Sequence, residues 1–559
     1  MGWLIGFAGA NAPAKPPLQH RDSRYEIIED DLHAQAGGPA ETCLYGPLPR
    51  ERQFIVLGLG IRDGRILTQN DWAYLLNQSH VDVDDLDGHF IIVCWGAAQV
   101  ECFTDCTGVR TLYYRPWSGG ILFSTRLDWL AIETSPLDID YSAFGAQWFF
   151  ANSISTSSVI KQVSRLESGA HAIIKKRNVQ ITSKRWECEV SPVDIDGSRY
   201  ERTLRQSLNI RGHHSWSLGL SGGLDSRVLC SIGKNISTHS WGPLDHPDVQ
   251  ISRQVAQAQG IEQQYFEHQL PDVDRCISYL RERVGLTQVI TPASASVQRS
   301  AYCQLYQMGK GIIDGGFGEI ARRQLFNQLV LERTIHGDSI RRPLKIPAVG
   351  KADIFNSEVQ EYMVVAAQQE LNDAWTHLPQ SMSIADKADW ISIRSRLPNF
   401  FGFEQNYLDN ECISYMPYAQ PSVLRALFQV PLRLRWHGRL LRHMLKRSAP
   451  TLSSYPLVKG TITYPFSLGT FSSYAYTHFK KRIGMDYCDR RTEMYLYHMR
   501  EYILDTLRSH SVLHYEPYDQ TKLQSFADGL ARGDVSNATQ LDWWLTFDMW
   551  RKVLSLESQ

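Results

Sequence analysis

The feature that most constrains the fold is the eight-residue stretch at positions 220–227, which reads LSGGLDSR. A short apolar run precedes it, and a segment of helical character follows it. A strand that turns through paired glycines into a helix leaves backbone N–H groups pointing in one direction, and the helix dipole adds positive potential there. Gly222 and Gly223 also let the backbone approach an anion without a Cβ in the way. The stretch therefore predicts a phosphate-binding loop in a domain of alternating strands and helices.

Side chains of the same stretch add polar groups to the predicted phosphate site. Ser221 and Ser226 supply hydroxyl donors, and Asp225 is a hard oxygen ligand placed where a Mg²⁺ on the phosphates would sit. No Gly-Lys-Ser/Thr sequence follows, so the stretch is not a Walker loop. The alternative interpretation is a Gly-Ser turn with a capping aspartate.

Composition narrows the function classes. The chain has 559 residues, too many for one hydrophobic core, and 58 basic against 59 acidic residues give a formal net charge of −1. This balance argues against an extended nucleic-acid-binding surface. The sequence has no apolar run of about 18 residues, so no membrane span is expected, and its amino end lacks the basic region of a signal peptide. The ten cysteines form no C-x-x-C pair, which favours free thiols. We therefore expect a cytoplasmic protein with no nucleic-acid or membrane partner.

The sequence pattern changes at residues 191–197, a polar, turn-rich segment that we interpret as the joint between two domains. Before it, short β-branched and aromatic runs lie at 54–57, 90–93, 111–114 and 121–123. They predict a β-sandwich with flanking helices for residues 1–190. After it, strands are expected at 216–220, 236–241 and near 264–266, a helix at 249–259, and mostly helices from about 355. Residues 191–559 are therefore expected to form an α/β domain with a parallel sheet and a helical extension, which makes the fold class α+β followed by α/β.

Several separated segments together resemble the asparagine synthetase family, by their order and spacing rather than by any single match. They are 86–90 (LDGHF), 105–108 (DCTG), 112–114 (LYY), 123–125 (FST), 221–226 (SGGLDS), 245–248 (DHPD), 417–418 (PY), 440–442 (LLR) and 456–459 (PLVK). The resemblance implies an Ntn-hydrolase-like front domain, similar to class II glutamine amidotransferase domains. Behind it, the resemblance implies an N-type ATP pyrophosphatase domain with the fold of the adenine-nucleotide α-hydrolases, which uses ATP and Mg²⁺.

The front domain departs from the family at its amino end. An active glutaminase of this family has a cysteine directly after Met1, and the α-amine of that cysteine serves as base. Here Gly2 stands directly after Met1, and in a similar stretch Ile5 takes the place of the cysteine. The family's Asn-Gly-Glu glutamine-binding segment is also absent from residues 50–90. We therefore expect a scaffold without glutaminase activity; a glutaminase with an unfamiliar nucleophile is the alternative.

A synthetase that makes no ammonia from glutamine needs another nucleophile. The resemblance thus favours branches similar to the β-lactam synthetases and the lasso peptide cyclases, in which a carboxylate is adenylated and an amine of the same substrate closes the amide. The expected partner is a small molecule or peptide that carries both groups, and the oligomeric state is left open. The alternatives are a synthetase that uses free ammonia or an external amine, a pyrophosphatase that acts on nucleic acid, and a nucleotide-binding pseudoenzyme.

The resemblance also implies roles for single residues. Lys459 and Asp225 are the expected catalytic residues, and Lys459 would stabilise charge on the phosphate and acyl oxygens. The expected ATP contacts are Leu220, Ser221, Gly222, Gly223, Leu224, Asp225, Ser226, Trp241, Gly315 and Gly316. The segment 313–319 resembles the family's second nucleotide loop, with Gly318-Glu319 where the family has Asp-Glu. The expected Mg²⁺ ligands are Asp225, Asp314 and Glu319.

The general base and the substrate contacts stay open. The candidates for the base are Glu332, Tyr407, Asp409, Glu411 and Tyr415, and a packing or surface role is the alternative for each of them. Arg322 and Arg323 are candidates for pairing with a substrate carboxylate. The pair His213-His214 has no spacing that is typical of a metal site.

Overall fold

The structure of the chain is a computed structural model. It describes residues 2–9, 23–29, 32–78, 83–96, 99–132, 136–150, 152–175, 178–183, 186–187, 190–211, 215–323, 325, 327, 335–336, 339–340 and 350–555.

Two antiparallel sheets form the front part of the chain. Their strands are β1 Trp3–Ala8, β2 Tyr25–Glu29, β3 Leu32–Gly37, β4 Cys43–Leu48, β5 Arg52–Arg62, β6 Arg65–Ile66, β7 Asp87–Gly96, β8 Gln99–Thr104, β9 Tyr113–Trp117, β10 Gly120–Ser124, β11 Ser164–Arg165, β12 Ala170–Lys175 and β13 Asn178–Ser183. The first sheet has the order β11-β9-β10-β1-β3-β2, and the second has the order β13-β12-β8-β7-β5-β4 with β6 paired to β5.

The two sheets pack face to face around a shared core. Leu4 and Phe123 of the first sheet and Ile55 and Val93 of the second belong to one buried cluster. Successive side chains of a strand point to opposite faces. The outer faces also carry buried apolar residues, against which helical residues pack; they are Phe7 and Leu122 on the first sheet and Phe54 and Val56 on the second. The sandwich with flanking helices that the sequence predicts for this part is therefore confirmed.

A parallel sheet forms the centre of the second part. The remaining strands are β14 Ser215–Gly219, β15 Ser237–Gly242, β16 Gln263–Glu267, β17 Lys310–Ile313, β18 Ile335–His336, β19 Ser339–Ile340, β20 Ser414–Tyr415, β21 Leu457–Lys459 and β22 Ile462–Tyr464. The sheet order is β16-β15-β14-β17-β20, and all four of its pairings are parallel. The strand order reverses between β14 and β17, and ligands of open α/β sheets bind at such a switch point, beyond the carboxyl ends of the strands.

Helices pack against the antiparallel sheets and the parallel sheet. They make up most of the chain after residue 355, as predicted. They are α1 Gln69–Leu76, α2 Tyr141–Phe149, α3 Ser198–Ser207, α4 Leu224–Ile232, α5 Pro247–Gln259, α6 Val273–Thr287, α7 Arg299–Gln307, α8 Ser357–Thr376, α9 Ile384–Ile391, α10 Gly402–Glu411, α11 Pro421–Phe428, α12 Leu432–Arg435, α13 Arg439–Ser448, α14 Thr470–Arg482, α15 Arg491–His498, α16 Arg500–Leu507, α17 His510–Leu513, α18 Gln520–Ala531 and α19 Ala538–Ser555. Residues Ser392–Phe401 form a π-helix between α9 and α10. Within the described residues, no helix has both the length and the apolar character that crossing a membrane requires.

A buried ion cluster joins the two parts. Asp409 of α10 accepts a hydrogen bond from His89 Nε2 at 2.8 Å, and its carboxylate lies 2.8 Å from Arg110 Nη2. Ser414 N–H donates to the other oxygen of Asp409 at 3.1 Å. Burial by itself would raise the pKa of Asp409, but His89 and Arg110 outweigh it and lower that pKa to about 2. Asp409, one of the candidate bases, is therefore held as an anion that connects the parts.

Replacing Asp409 by asparagine is expected to lower the free energy of unfolding by about 3 kcal/mol, because Arg110 loses its buried counter-ion. The folded-state pKa of Asp409 lies below the ordinary value of 3.8. This carboxylate therefore contributes stability above about pH 4, and the contribution disappears as the pH falls towards about 2. Urea unfolding at pH 7 and pH 3 measures both effects. Asp505→Asn, on the exposed face of α16, is the matched control; equal losses in the two variants would contradict the assignment.

Candidate functional site

Two glycine-rich loops meet at the switch point of the parallel sheet. The first occupies residues 220–223, between the end of β14 at Gly219 and the start of α4 at Leu224. The second follows β17, the neighbouring strand, which ends at Ile313. A Cβ added to Gly315 of the second loop would lie 3.4 Å from Ser226 Cα, so the second loop packs against the first turn of α4, the helix that follows the first loop. The strand–loop–helix arrangement predicted around 220–227 is thus confirmed.

Hydrogen bonds within the first loop fix its shape. Ser221 N–H donates to Ser226 Oγ at 3.2 Å, and Gly223 N–H donates to Ser221 Oγ at 3.1 Å. Gly222 N–H donates to Asp248 Oδ1 at 2.9 Å. The N–H of Gly222 is therefore engaged by a carboxylate of the neighbouring helix α5, which the sequence pattern did not indicate. The N–H of Leu220 donates to His239 O, so all four backbone N–H groups of residues 220–223 have partners within the protein. The uncovered donors that the sequence predicts at these four positions are therefore not present.

Arg227 connects this loop to the segment that carries Lys459. Its guanidinium, which is fully buried, donates to four carbonyl oxygens; they belong to Gly222 (3.1 Å), Leu452 (3.2 Å), Tyr455 (2.9 Å) and Pro456 (2.7 Å). Burial lowers the pKa of Arg227 to about 10. The backbone pairing of Val458 N–H with Gly222 O at 3.0 Å runs alongside. Sequence reasoning gave Arg227 no role, although its place directly after Ser226, on a helix packed against the sheet, was visible.

Replacing Arg227 by methionine is expected to lower the free energy of unfolding by about 3 kcal/mol. The variant leaves buried carbonyl oxygens without donors, and each such group costs about 1–3 kcal/mol before the structure relaxes. Arg227→Lys should recover only part of the loss, since an ammonium cannot reach four carbonyls at once. Thermal unfolding measures both variants. If the unfolding midpoint of Arg227→Met equalled that of the wild type, the four hydrogen bonds of the Arg227 guanidinium would contribute nothing to stability.

A cavity of about 740 Å³ opens between the two loops, the β21–β22 hairpin and helix α14. Eight residues predicted for the site line it, namely Ser221, Gly223, Leu224, Asp225, Ser226, Asp314, Gly315 and Lys459. Residues from distant parts of the chain complete the wall, among them Arg322, Asn327, His437, Arg442, Tyr464 and Tyr474. The fold therefore brings the predicted loops and the predicted lysine to one cavity.

Three cations concentrate positive charge in this cavity. Partial burial and the neighbouring Arg322 lower the pKa of Lys459. Burial also lowers the pKa of Arg442, and Arg322 contributes in the same direction. Within the described part of the chain, the Nε atoms of Arg322 and Arg442 are buried without a hydrogen-bond partner. Clustered cations with unused donors suit an anion that carries several charges.

The three predicted magnesium ligands lie in different surroundings. Asp225 Oδ2 accepts from Arg322 Nη2 at 2.7 Å. Asp314 lines the cavity and accepts from Gly316 N–H at 3.0 Å. Glu319 is turned towards Arg396, which donates to its carboxylate, and is not one of the residues that line the cavity. Among the described residues, no group of three or more histidine, cysteine, aspartate or glutamate side chains is arranged to hold a metal. The fold therefore brings Asp225 and Asp314, but not Glu319, to the cavity, and the role of these carboxylates as Mg²⁺ ligands stays a prediction.

Asp314 has the most perturbed carboxyl group in the cavity. Burial raises its pKa from the ordinary value of 3.8 to about 6, and the charge of Glu404 adds to the effect. A carboxyl group with a pKa of about 6 changes its protonation state close to neutral pH, whereas an aspartate with the ordinary pKa stays ionised there. The sequence singled out Asp314 only as a metal ligand.

Several other predicted residues lie away from the cavity wall. Trp241 contacts His268 with ring centroids 5.1 Å apart and lies 5.4 Å from the Arg491 guanidinium. Leu220 is buried, and its N–H donates to His239 O at 2.8 Å. Neither residue lines the cavity, and the same holds for Gly222 and Gly316. Their predicted contacts with ATP stay predictions.

The remaining candidate bases and cations are held in structural contacts. Tyr407 and Tyr415 are fully buried, and Glu411 lies 2.8 Å from Arg299. Arg323 Nε donates to the buried Asp389 at 2.9 Å, so Arg323 is turned away from the cavity. The last three candidates, Glu332, His213 and His214, lie outside the described residues.

The start of β1 leaves no room for a side chain at position 2. A Cβ added to Gly2 would lie 2.2 Å from Thr42 O, well inside van der Waals contact. Ile5 is buried in the sandwich and pairs with Ser124 of β10. Neither position carries a nucleophilic side chain, and the loss of glutaminase activity stays a prediction.

Comparisons with known proteins leave the family unassigned. No protein-family profile matches the chain, and no curated protein matches it. Among solved structures, glutamine phosphoribosylpyrophosphate amidotransferase from B. subtilis, complexed with ADP and GMP, aligns over 56% of this chain and 75% of its own, with 10% identity and a TM-score of 0.21. A structure of the allosteric regulatory enzyme of purine biosynthesis aligns over 63% of this chain and 83% of its own, with 12% identity and a TM-score of 0.22. Superpositions of this quality do not establish a shared fold, and the Ntn-hydrolase-like front domain stays a prediction.

Proposed function

We propose that the chain is an ATP-dependent synthetase that activates a carboxylate as its adenylate and joins it to an amine. The observation that carries the proposal is the meeting of the glycine loop 220–223 and Lys459 in one cavity at the switch point of a parallel sheet. Open α/β sheets bind their ligands there. The resemblance of the same residues to the asparagine synthetase family gives the reaction class.

The cavity fits a nucleoside triphosphate in charge and in size. Arg322, Arg442 and Lys459 face the two carboxylates Asp225 and Asp314, which leaves excess positive charge for an anion. The unpartnered Nε atoms of both arginines are donors that phosphate oxygens would satisfy. A volume of about 740 Å³ lies in the range of small-molecule sites.

The proposed reaction has two steps. A carboxylate oxygen of the substrate attacks the α-phosphorus of ATP, the bond from that phosphorus to the β-phosphate oxygen breaks, and pyrophosphate leaves. The amine nitrogen then attacks the acyl carbon, the carbon–oxygen bond to AMP breaks, and the nitrogen loses a proton. Lys459 would stabilise the negative charge that develops on the phosphate oxygens and then on the acyl oxygen.

Asp314 is the residue that we propose as acceptor of the amine proton. It lies in the cavity wall at the end of β17, and its pKa of about 6 keeps it mostly ionised at pH 7 yet basic enough to take a proton. The five bases named from the sequence are weaker candidates, since four are held in the protein interior or in ion pairs and the fifth, Glu332, is outside the described residues.

The amine source follows from the front domain. Gly2 and Ile5 supply no nucleophile for glutamine hydrolysis, so an amine in the substrate itself is the simplest supply. Tethering it to the carboxylate converts the second step into an effectively unimolecular attack. Free ammonia or an external amine is the second candidate, and the mass of the product distinguishes them.

The test uses purified protein, Mg²⁺, ATP labelled in the α-phosphate, and fractionated extract of the native host. We expect labelled AMP only with the fraction that contains the substrate, and a product lighter than that substrate by one water. A product that has gained an amine would support the second candidate. ATP binding without AMP in every fraction would overturn the synthetase proposal in favour of a nucleotide-binding pseudoenzyme.

A further inference from the structure

Asp225, in the first turn of the helix that follows the glycine loop, already has a cation beside it. Arg322 Nη2 donates to Asp225 Oδ2 at 2.7 Å. The Arg322 side chain is 31% exposed and that of Asp225 is 17% exposed, so the pair forms part of the cavity wall rather than the protein interior. Asp225 Oδ1 has no hydrogen-bond partner in the described part of the chain.

The absence of a side chain at Gly318 leaves room for this ion pair. A Cβ added to Gly318 would lie 2.6 Å from Asp225 Cβ and 2.8 Å from its Cγ, closer than real Cβ atoms approach other atoms. A second carboxylate at position 318 is therefore incompatible with the present placement of Asp225. The guanidinium stands beside Asp225 instead.

The backbone that carries Arg322 is firmly held. Arg322 ends a 3₁₀ turn, Gly318–Arg322, and the following residue, Arg323, is left-handed with φ 54°. Arg323 Nε and Arg435 Nη1 each donate to the buried Asp389 at 2.9 Å. Asn327 Nδ2 donates to Arg322 O at 2.8 Å. These contacts hold the backbone at Arg322 and leave its guanidinium donors unused.

We propose that the Arg322 guanidinium is a built-in cation of the phosphate site. It lies between Asp225 and the nucleotide phosphates, in the place where a second metal ion would otherwise be needed. The inference rests on the proposed function and deepens it: bound ATP carries one divalent ion, not two. A guanidinium presents donors on more than one edge, so one edge holds Asp225 while the unpartnered Nε edge serves a phosphate oxygen. Asp225 Oδ1, which is buried and has no hydrogen-bond partner among the described residues, would serve as a ligand of the single ion that accompanies ATP.

The experiment counts metal ions on the intact chain. The probes are Mn²⁺, followed by electron paramagnetic resonance, and an ATP analogue with a methylene group between the α- and β-phosphorus atoms, which cannot be cleaved there. We expect one Mn²⁺ for each bound analogue in the wild type. In Arg322→Gln the dissociation constant of the analogue should rise about tenfold or more, and added Mn²⁺ should recover part of the loss by taking the vacated place beside Asp225.

Controls separate this inference from the proposed function. Arg482→Gln, on an exposed residue at the end of α14, should change neither quantity. Arg322→Lys keeps the charge but lacks the planar guanidinium with separate donor edges, so it should bind the analogue less tightly than wild type even if Arg322→Gln fails to fold. Two Mn²⁺ ions for each analogue in the wild type, or unchanged affinity in the Arg322 variants, would overturn the built-in cation while AMP formation still supported the synthetase. Absence of nucleotide binding under all conditions would overturn both.

Discussion

Replacing Lys459 by methionine is expected to lower the rate of AMP formation about 10²–10³-fold. Lys459 is the residue at the end of β21 whose ammonium reaches the cavity, and its charge is needed most when negative charge develops on the reacting phosphorus and acyl oxygens. Methionine keeps much of the side-chain length and removes the charge. The dissociation constant of ATP should change far less than the rate, because Arg322 and Arg442 remain in place.

Lys446→Met is the matched control for this prediction. Lys446 lies on α13, lines a separate surface groove and does not line the cavity. Rates of labelled AMP release and equilibrium binding of ATP, measured on both variants, separate loss of catalysis from loss of binding. A Lys459→Met enzyme with wild-type rate would remove the lysine from the mechanism.

Replacing Asp314 by asparagine is expected to lower the rate at pH 8 by about 10²-fold and to change the pH profile. In the wild type the Asp314 carboxyl is protonated below its pKa of about 6 and cannot accept the amine proton. The rate should therefore fall about tenfold for each pH unit below that value and level off above it. Asparagine cannot act as a base at any pH in this range, so the rate of the variant should not show this fall below pH 6.

Glu319→Gln tests the alternative that Asp314 and Glu319 serve as metal ligands. If Asp314 and Glu319 acted together as metal ligands, both variants would lose activity and both would regain some of it at high Mg²⁺. Because Glu319 is paired with Arg396 outside the cavity wall, we expect Glu319→Gln to keep the wild-type pH profile. An unchanged profile in Asp314→Asn would assign the base elsewhere.

Local pattern was sufficient to predict the backbone of the site. The order strand, paired glycines, helix at 216–232 depends on interactions between near neighbours, such as Ser221 with Ser226. The alternation after residue 215 likewise predicts a parallel sheet, and a parallel sheet places the ends of β14 and β17 on one edge. The sandwich in the front part follows from its short β-branched and aromatic runs in the same way.

The local sequence pattern could not predict the contacts of charged side chains with residues far away in the chain. Arg227 donates to the carbonyl of Leu452, 225 positions along the chain, and Arg322 reaches Asp225 across 97 positions. Nothing in the residues next to them in the sequence distinguishes these two arginines from arginines that are solvated at the surface. For the same reason the sequence placed Asp409 among the candidate bases, whereas His89 from the front part of the chain makes it part of a buried ion cluster.

The sequence by itself thus determined where a glycine-rich loop lies between a strand and a helix, at which end of the parallel sheet it stands, and that neither Gly2 nor Ile5 has a nucleophilic side chain. Those properties follow from backbone conformation and residue identity, which near neighbours control. Only the tertiary structure decided that Asp225 pairs with Arg322, that Glu319 turns to Arg396, and that burial raises the pKa of Asp314 to about 6. Desolvation and ion pairing depend on which distant groups the fold brings within a few ångströms, and that distance is a property of the folded chain.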